Sequence, residues 1–175
     1  EGCLAASSGR AFAEAYMGRV ERGVGLIPGG GGTKEMLLRA TDWFPASTPS
    51  ATPGGGRPDL IPYVARAFET IATGKVSTSA REAQTIGFMR TYDWITMNPD
   101  HLLHDAKQTV LSLVKEGYRP PRPRDDIRVI GRSGRAMLDL MVYLLRDAGY
   151  ITDTDAHQAK KLALVQKGEI LPEER

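Results

Sequence analysis

The chain has 175 residues, of which 41% are hydrophobic and 25% charged, and its formal net charge is +2. That length suits one domain or one domain with an appendage, and the composition is ordinary for a globular protein with a sizeable core. The small charge does not indicate nucleic-acid binding, and no apolar run reaches the roughly 20 residues that a membrane-spanning helix needs. A single cysteine, Cys3, excludes an internal disulfide and fits a reducing compartment such as the cytoplasm.

The first part of the chain predicts a short strand, a glycine turn and an amphipathic helix. Alternating side chains within residues 10–17 indicate the strand. The turn at Pro28–Gly32 follows, and Thr33 is the expected N-cap of a helix with Glu35 in its first turn. Residues 45–58 are rich in proline and glycine, which predicts a surface loop.

The next part predicts helices separated by a short strand. Apolar residues at helical spacing mark the first helix: Leu60, Val64, Ala67, Phe68 and Ile71. Ser79 and Glu82 form a capping box for a short helix that ends at Gly87. Residues 92–97 are a candidate strand, and the Asn-Pro-Asp sequence after them is typical of a helix start.

Two further helices are predicted after a linker rich in proline and arginine at residues 119–128. The helix at 135–147 is apolar nearly all round, which predicts burial on more than one side. Thr152 and Asp155 cap the last helix, which runs to Gly168. The sequence therefore predicts a helix-rich α/β protein.

The segment with the most chemical content is residues 21–34, where a carboxylate precedes a glycine run that opens into a helix. A helix N-terminus offers unpaired N–H groups and partial positive charge, and glycine lets water or substrate approach closely. Glu21 is thus placed to move a proton while the turn holds an oxygen atom. The glycines match no phosphate-binding fingerprint, because Pro28 replaces a glycine of the dinucleotide motif and Thr33 separates Gly32 from the lysine. A plain tight turn into a helix stays an alternative.

Two signatures in the chain resemble the crotonase family, the enoyl-CoA hydratases and isomerases. The first is Tyr-Met-Gly-Arg-Val-Glu followed by Gly-Leu-Ile-Pro-Gly-Gly-Gly-Gly-Thr, within residues 16–33. The second, within residues 74–87, is Gly-Lys followed by Ser-Ala-Arg-Glu-Ala and a closing glycine. Looser motifs, Lys-Glu-Gly-Tyr-Arg-Pro-Pro and Asp-Ala-Gly-Tyr-Ile-Thr-Asp, are similar to the hydratase region of bacterial fused 3-hydroxyacyl-CoA dehydrogenase/enoyl-CoA hydratases.

The resemblance implies the C-terminal part of a crotonase-like domain. Residues 1–44 would hold a remnant of its ββα spiral and the catalytic turn, residues 45–58 a loop, and residues 59–175 a helical region of the same domain. The implied activity is addition of water to a trans-2-enoyl-CoA in fatty-acid β-oxidation.

The same resemblance implies the site residues. Glu21 corresponds to the second catalytic glutamate of the hydratases, and Glu1 falls where the first would lie. Pro28, Gly29 and Gly30 are expected to position water or substrate, with Gly29 contributing its backbone N–H. The two carboxylates can act as a pair only if the fold brings them several Å apart with room for one water.

The implied partners are an acyl-CoA substrate and the remainder of a longer polypeptide, since the chain begins at Glu1 without the family's upstream segments. The chain alone is expected to be inactive and to hold no metal or cofactor, while a dehydrogenase domain of the parent would bring NAD. Assembly of several copies is left open. Two alternatives remain: a non-catalytic helical module for interaction or oligomerisation, and another activity of the crotonase family such as an isomerase or thioesterase.

Overall fold

The computed structural model describes residues 4, 6–29, 31–42, 59–122, 127 and 129–167. The predicted loop at 45–58 and the predicted helix end at Gly168 lie outside the described residues. The chain forms two compact units, one of residues 1–18 and 76–126 and the other of residues 19–75 and 127–175. The predicted division into residues 1–44, 45–58 and 59–175 is not tested and stays a prediction.

The helices are α1 (Gly32–Asp42), α2 (Ile61–Ala72), α3 (Ala80–Ile86), α4 (Leu102–Lys115), α5 (Gly131–Asp147) and α6 (Asp153–Lys167). The strands are β1 (Arg10–Phe12), β2 (Met17–Gly18), β3 (Val76–Ser77) and β4 (Trp94–Thr96), and short 3-10 helices occupy Val20–Val24 and Pro99–His101. The prediction of a helix-rich α/β protein is confirmed. A ββα spiral is not seen in the described part of the chain, where the strands form two separate pairs.

In the first unit, the predicted strand at 10–17 is broken into two. β1 pairs in parallel with β4, with Arg10 opposite Trp94, whereas β2 pairs antiparallel with β3. A turn follows Phe12, whose carbonyl accepts a 3.0 Å hydrogen bond from the Ala15 N–H. This turn changes the direction of the chain between β1 and β2. Because each half of the segment has a different partner strand, a single strand prediction is wrong here.

The helix caps of the first unit agree with the sequence. The Ser79 hydroxyl accepts a hydrogen bond from the Glu82 N–H at 3.1 Å, and α3 ends at Gly87 with φ of +96°, as predicted. The Glu82 carboxylate reaches back to the N–H and hydroxyl of Thr78, both at 2.8 Å, so the box closes one residue earlier than usual. The Asn98 side chain likewise caps the turn that leads into α4.

The second unit contains helices α1, α2, α5 and α6 around a core of apolar side chains. The predicted stripe on α2 is confirmed for Val64, Ala67, Phe68 and Ile71, which are all buried, whereas Leu60 precedes the helix and is only half-buried. The predicted capping box of α6 is also confirmed. The Asp155 carboxylate accepts from the Thr152 N–H at 2.9 Å, and the Thr152 hydroxyl accepts from the Asp155 N–H at 3.2 Å.

The prediction that α5 is buried on more than one side is wrong. Only one line of its residues is buried, Gly134, Leu138 and Val142, spaced by one helical turn and directed toward α6. Four other large apolar side chains are each more than half exposed, namely Met137, Leu140, Tyr143 and Leu144. Met141 and Leu145 are half-buried. A helix that is apolar all round is buried all round only if enough neighbours surround it, and the described unit supplies them on one side. No helix in the described ranges is long and apolar enough to cross a membrane.

Candidate functional site

The carboxylate of Glu21 lies at the start of a compact turn in the second unit. Glu21 sits in the 3-10 helix Val20–Val24, and its carbonyl accepts a hydrogen bond from the Leu26 N–H at 3.1 Å. Gly25 and Gly31 have φ of +84° and +83°, a backbone conformation that side-chain-bearing residues rarely adopt. These two glycines let the chain turn twice between Glu21 and α1.

Arg19 joins the two ends of this turn. Its side chain is only 3% exposed, and its Nη2 donates a hydrogen bond to the Gly29 carbonyl at 3.0 Å. The same nitrogen lies 3.6 Å from Oε1 of Glu21, whose side chain is 33% exposed. A buried cation therefore fixes Glu21 beside the glycine run while leaving part of the carboxylate open to solvent.

Gly32 leaves the space that the Arg19 guanidinium occupies. A Cβ at Gly32 would lie 2.0 Å from Nη1 and 2.2 Å from Cζ of Arg19, which no real packing permits. At Gly23 and Gly29, by contrast, an added Cβ would meet nothing within 4 Å. Position 32 therefore requires glycine, because a side chain there would collide with Arg19.

Thr33 does not cap α1 as predicted. The helix already begins at Gly32, and the buried Thr33 hydroxyl donates backwards to the Pro28 carbonyl at 3.2 Å. This bond links the first turn of α1 to the glycine turn before it. The Thr33 side chain therefore stabilises the glycine turn and does not cap the helix. The prediction of Glu35 in the first turn of the helix is confirmed.

The structure brings three of the five predicted site residues into one turn. Glu21, Pro28 and Gly29 lie there, and Gly29 is exposed. Within the described ranges, no hydrogen bond uses the Gly29 N–H, which leaves that donor able to meet a ligand oxygen. Glu1 and Gly30 lie outside the described residues, so the pairing of Glu1 with Glu21 is untested and the roles of all five residues stay predictions.

A cleft in the first unit was missed by the sequence analysis. It has a volume of about 330 Å³ and is lined by the backbone segment Ser7–Arg10 and by one face of α4 with Tyr118 beyond it. The Arg10 guanidinium donates to the hydroxyls of Thr96 and Thr109 at 3.0 and 3.1 Å. Neither neighbour is close to Arg10 in sequence, so no local pattern could have marked this cluster.

Metal binding has no support from the described residues. His101 and His104, which are separated by three positions on one helical segment, are both exposed. In the part of the chain that the structure describes, no three His, Cys, Asp or Glu side chains are grouped in a way that could hold a metal ion.

The chain is similar in sequence to a protein whose name is that of an oxidoreductase. It is 43% identical over 176 residues to a protein of Bacillus subtilis (strain 168) named probable 3-hydroxyacyl-CoA dehydrogenase, covering 98% of this chain and 20% of that protein. The chain thus spans about a fifth of the length of the curated relative it matches. No protein-family model matches the chain, and no solved structure matches it.

This finding overturns the assignment of the chain to the crotonase family and the expected hydratase, or lyase, activity. The relative that matches nearly the whole chain carries the name of a dehydrogenase. Both signatures that carried the resemblance describe local geometry. In the first signature, glycine at position 32 leaves space for the Arg19 guanidinium. In the second, Ser79 caps α3. Local features of these kinds occur in many different folds.

Proposed function

We propose that the chain is a segment of a 3-hydroxyacyl-CoA dehydrogenase, an oxidoreductase that acts on coenzyme A thioesters in fatty-acid oxidation. The observation that carries this proposal is 43% identity sustained over 98% of the chain. Similarity spread over both compact units supports a common fold and a common place in the polypeptide more strongly than a match confined to one motif.

The proposal assigns binding of the hydride acceptor to the longer polypeptide. Dehydrogenation moves a hydride from C3 of the substrate to an acceptor and the proton of the 3-hydroxyl to a base, and NAD is the acceptor that we propose. Its site is placed elsewhere on the polypeptide, because the glycine run departs from the dinucleotide fingerprint at Pro28. An acyl-CoA substrate, a cytoplasmic location and inactivity of the isolated chain follow from the same proposal.

The contribution we propose for the chain itself is to hold part of the thioester substrate. The turn at Glu21 supports this role, since it offers an open backbone N–H at Gly29 near a carboxylate that is one-third exposed. Glu21 is then a candidate for exchanging a proton with the bound substrate.

A segment exchange tests the proposed function. In the Bacillus subtilis relative, the 176 matched residues are replaced by this chain, and NADH formation from 3-hydroxybutyryl-CoA and NAD⁺ is followed by absorbance. We expect the exchanged protein to keep activity within about tenfold of the relative's own. A soluble, folded exchange that forms no NADH, beside an active relative, would count against the proposal.

Within the same exchanged protein, Glu21→Gln tests the role of the carboxylate. If Glu21 exchanges a proton with substrate, kcat should fall by about 100-fold or more. Glu14→Gln is the matched control, because Glu14 is an exposed glutamate of the other unit, and it should leave kcat unchanged. Equal rates for the two variants would remove Glu21 from the chemistry and leave it a partner of Arg19 only.

A further inference from the structure

Helix α5 presents one apolar face to solvent, opposite the line of residues that faces the core of its unit. The exposed apolar side chains recur at three- and four-residue spacing, which places them on one side of the helix. Polar residues end this face seven positions before and seven positions after Leu140. We call this face the α5 stripe, and its members are Ser133, Ala136, Met137, Leu140, Tyr143, Leu144 and Asp147.

The residues of the α5 stripe are arranged symmetrically about Leu140. Stripe positions lie three, four and seven residues before Leu140, and three, four and seven residues after it. An antiparallel second copy of α5, related by a twofold axis at Leu140, would therefore meet every stripe position with another stripe position. Leu140 would pack on its own equivalent. Met137 would lie opposite Tyr143, a favourable sulfur–aromatic contact, and the small Ala136 would leave room for Leu144.

The charges at the two ends of α5 favour the antiparallel arrangement. Arg132 and Asp147 are both exposed, and neither forms an ion pair with another residue in the described ranges. The other charged side chains of α5 are paired within their own unit, Arg135 with Asp139 and Arg146 with Asp153.

An antiparallel pair brings these two free charges together. Position 147 lies opposite position 133 of the second copy, so Asp147 of each copy would face the Arg132 of the other. The two resulting ion pairs would close both ends of the contact. A parallel pair would instead set Arg132 beside Arg132 and Asp147 beside Asp147, which like-charge repulsion disfavours.

We propose that the α5 stripe binds a second copy of this chain, forming an antiparallel pair of α5 helices. A twofold dimer requires a self-complementary surface, because each patch must fit its own equivalent. The symmetry of the stripe about Leu140 and the free charge at each end meet that requirement, and an unrelated partner would gain nothing from them. One helix pair buries less than the roughly 1,200–2,000 Å² of a standard interface, so we expect a weak dimer with a Kd of about 100 μM. This inference does not depend on the proposed function.

Sedimentation equilibrium of the whole 175-residue chain tests the proposal. Between about 10 and 500 μM, we expect the mean mass to rise from that of a monomer toward that of a dimer. Leu140→Glu sets two carboxylates against each other at the twofold axis and should raise the Kd by about tenfold or more. Leu111→Glu is the matched control, because Leu111 on α4 is 50% exposed and Leu140 is 52% exposed, and it should leave the Kd within about twofold. Circular dichroism confirms that both variants are folded.

Charge reversal tests the antiparallel geometry. Arg132→Asp alone, or Asp147→Arg alone, places like charges at both ends of the pair and should raise the Kd by about fivefold. The double variant with both changes restores opposite charges at both ends, and its Kd should return to within about twofold of the unchanged chain.

Three results would overturn the proposal: a chain that stays monomeric at about 500 μM, equal Kd values for the two glutamate variants, or a double charge variant that associates no better than the single ones. So would binding of the remainder of the longer polypeptide, added separately, that Leu140→Glu abolishes while the chain itself stays monomeric. The α5 stripe would then be covered by another part of the same polypeptide and not by a second copy.

Discussion

Gly32 shows how one missing side chain holds the candidate turn together. The Arg19 guanidinium occupies the position that a Cβ at residue 32 would need, at 2.0 Å from Nη1. Arg19 is buried and also bonds the Gly29 carbonyl, so it cannot move away without losing that bond and its proximity to Glu21. The geometry around Glu21 therefore depends on a glycine eleven residues along the chain.

Gly32→Ala should lower the free energy of unfolding by about 1–3 kcal/mol, the usual cost of overpacking a buried site. Urea denaturation of the whole chain measures this loss. Gly23→Ala is the control, since a Cβ there meets nothing within 4 Å, and it should change the stability by less than about 0.5 kcal/mol. If the two alanine variants lose the same stability, the clash with Arg19 is not the reason for glycine at position 32.

At the scale of residues, the sequence marks Glu21 as a candidate but does not show that Arg19 is buried. A carboxylate before a glycine run is visible in the sequence, whereas an arginine usually lies at the surface, and nothing local marks Arg19 as buried. The Arg10 cluster was missed for the same reason. Its partners Thr96 and Thr109 lie 86 and 99 residues away, and only the folded unit brings them together.

At the scale of elements, α5 separates a buried line from an exposed apolar face. Leu138 is fully buried, while Leu140 on the same helix is half exposed. The sequence shows both as equivalent leucines in a run that is apolar nearly all round, which is why burial on several sides was predicted. The number of helices packed around α5 decides its burial, and a single helical segment does not contain that information.

Leu138→Ala should therefore destabilise the chain by about 2–5 kcal/mol, because the truncation leaves a cavity in the core. Leu140→Ala should cost less than about 0.5 kcal/mol, as expected for an exposed position. Thermal unfolding followed by circular dichroism compares the two leucine variants directly. Equal losses would show that the Leu140 face is covered in solution.

Elements whose signals are local were predicted best. The caps of α3 and α6 depend on residues three apart, and the expected Ser79 and Thr152 hydroxyl caps both form, although Glu82 bonds Thr78 instead of Ser79. The break between β1 and β2 could not be predicted, because it depends on pairing with strands far along the chain. In the same region, Gly9 bonds the buried Asp93 across a separation of 84 residues.

At the scale of the whole molecule, local motifs gave the wrong family while composition and periodicity gave the right fold class. A glycine turn and a capped helix constrain about a dozen residues each, and many proteins contain both. The two compact units are interleaved in sequence, since residues 76–126 join the unit that begins with residues 1–18. Such long-range assembly leaves no short pattern in the sequence. The family assignment was corrected only by a relative that is 43% identical and covers 98% of this chain.

The proposed function makes this chain a segment of a 3-hydroxyacyl-CoA dehydrogenase. The most direct measurement is NADH formation by the intact polypeptide that contains the chain, supplied with 3-hydroxybutyryl-CoA and NAD⁺. We predict substrate-dependent NADH formation that saturates with 3-hydroxybutyryl-CoA. A folded, intact polypeptide that forms no NADH from this or longer 3-hydroxyacyl-CoA substrates would contradict the proposed function.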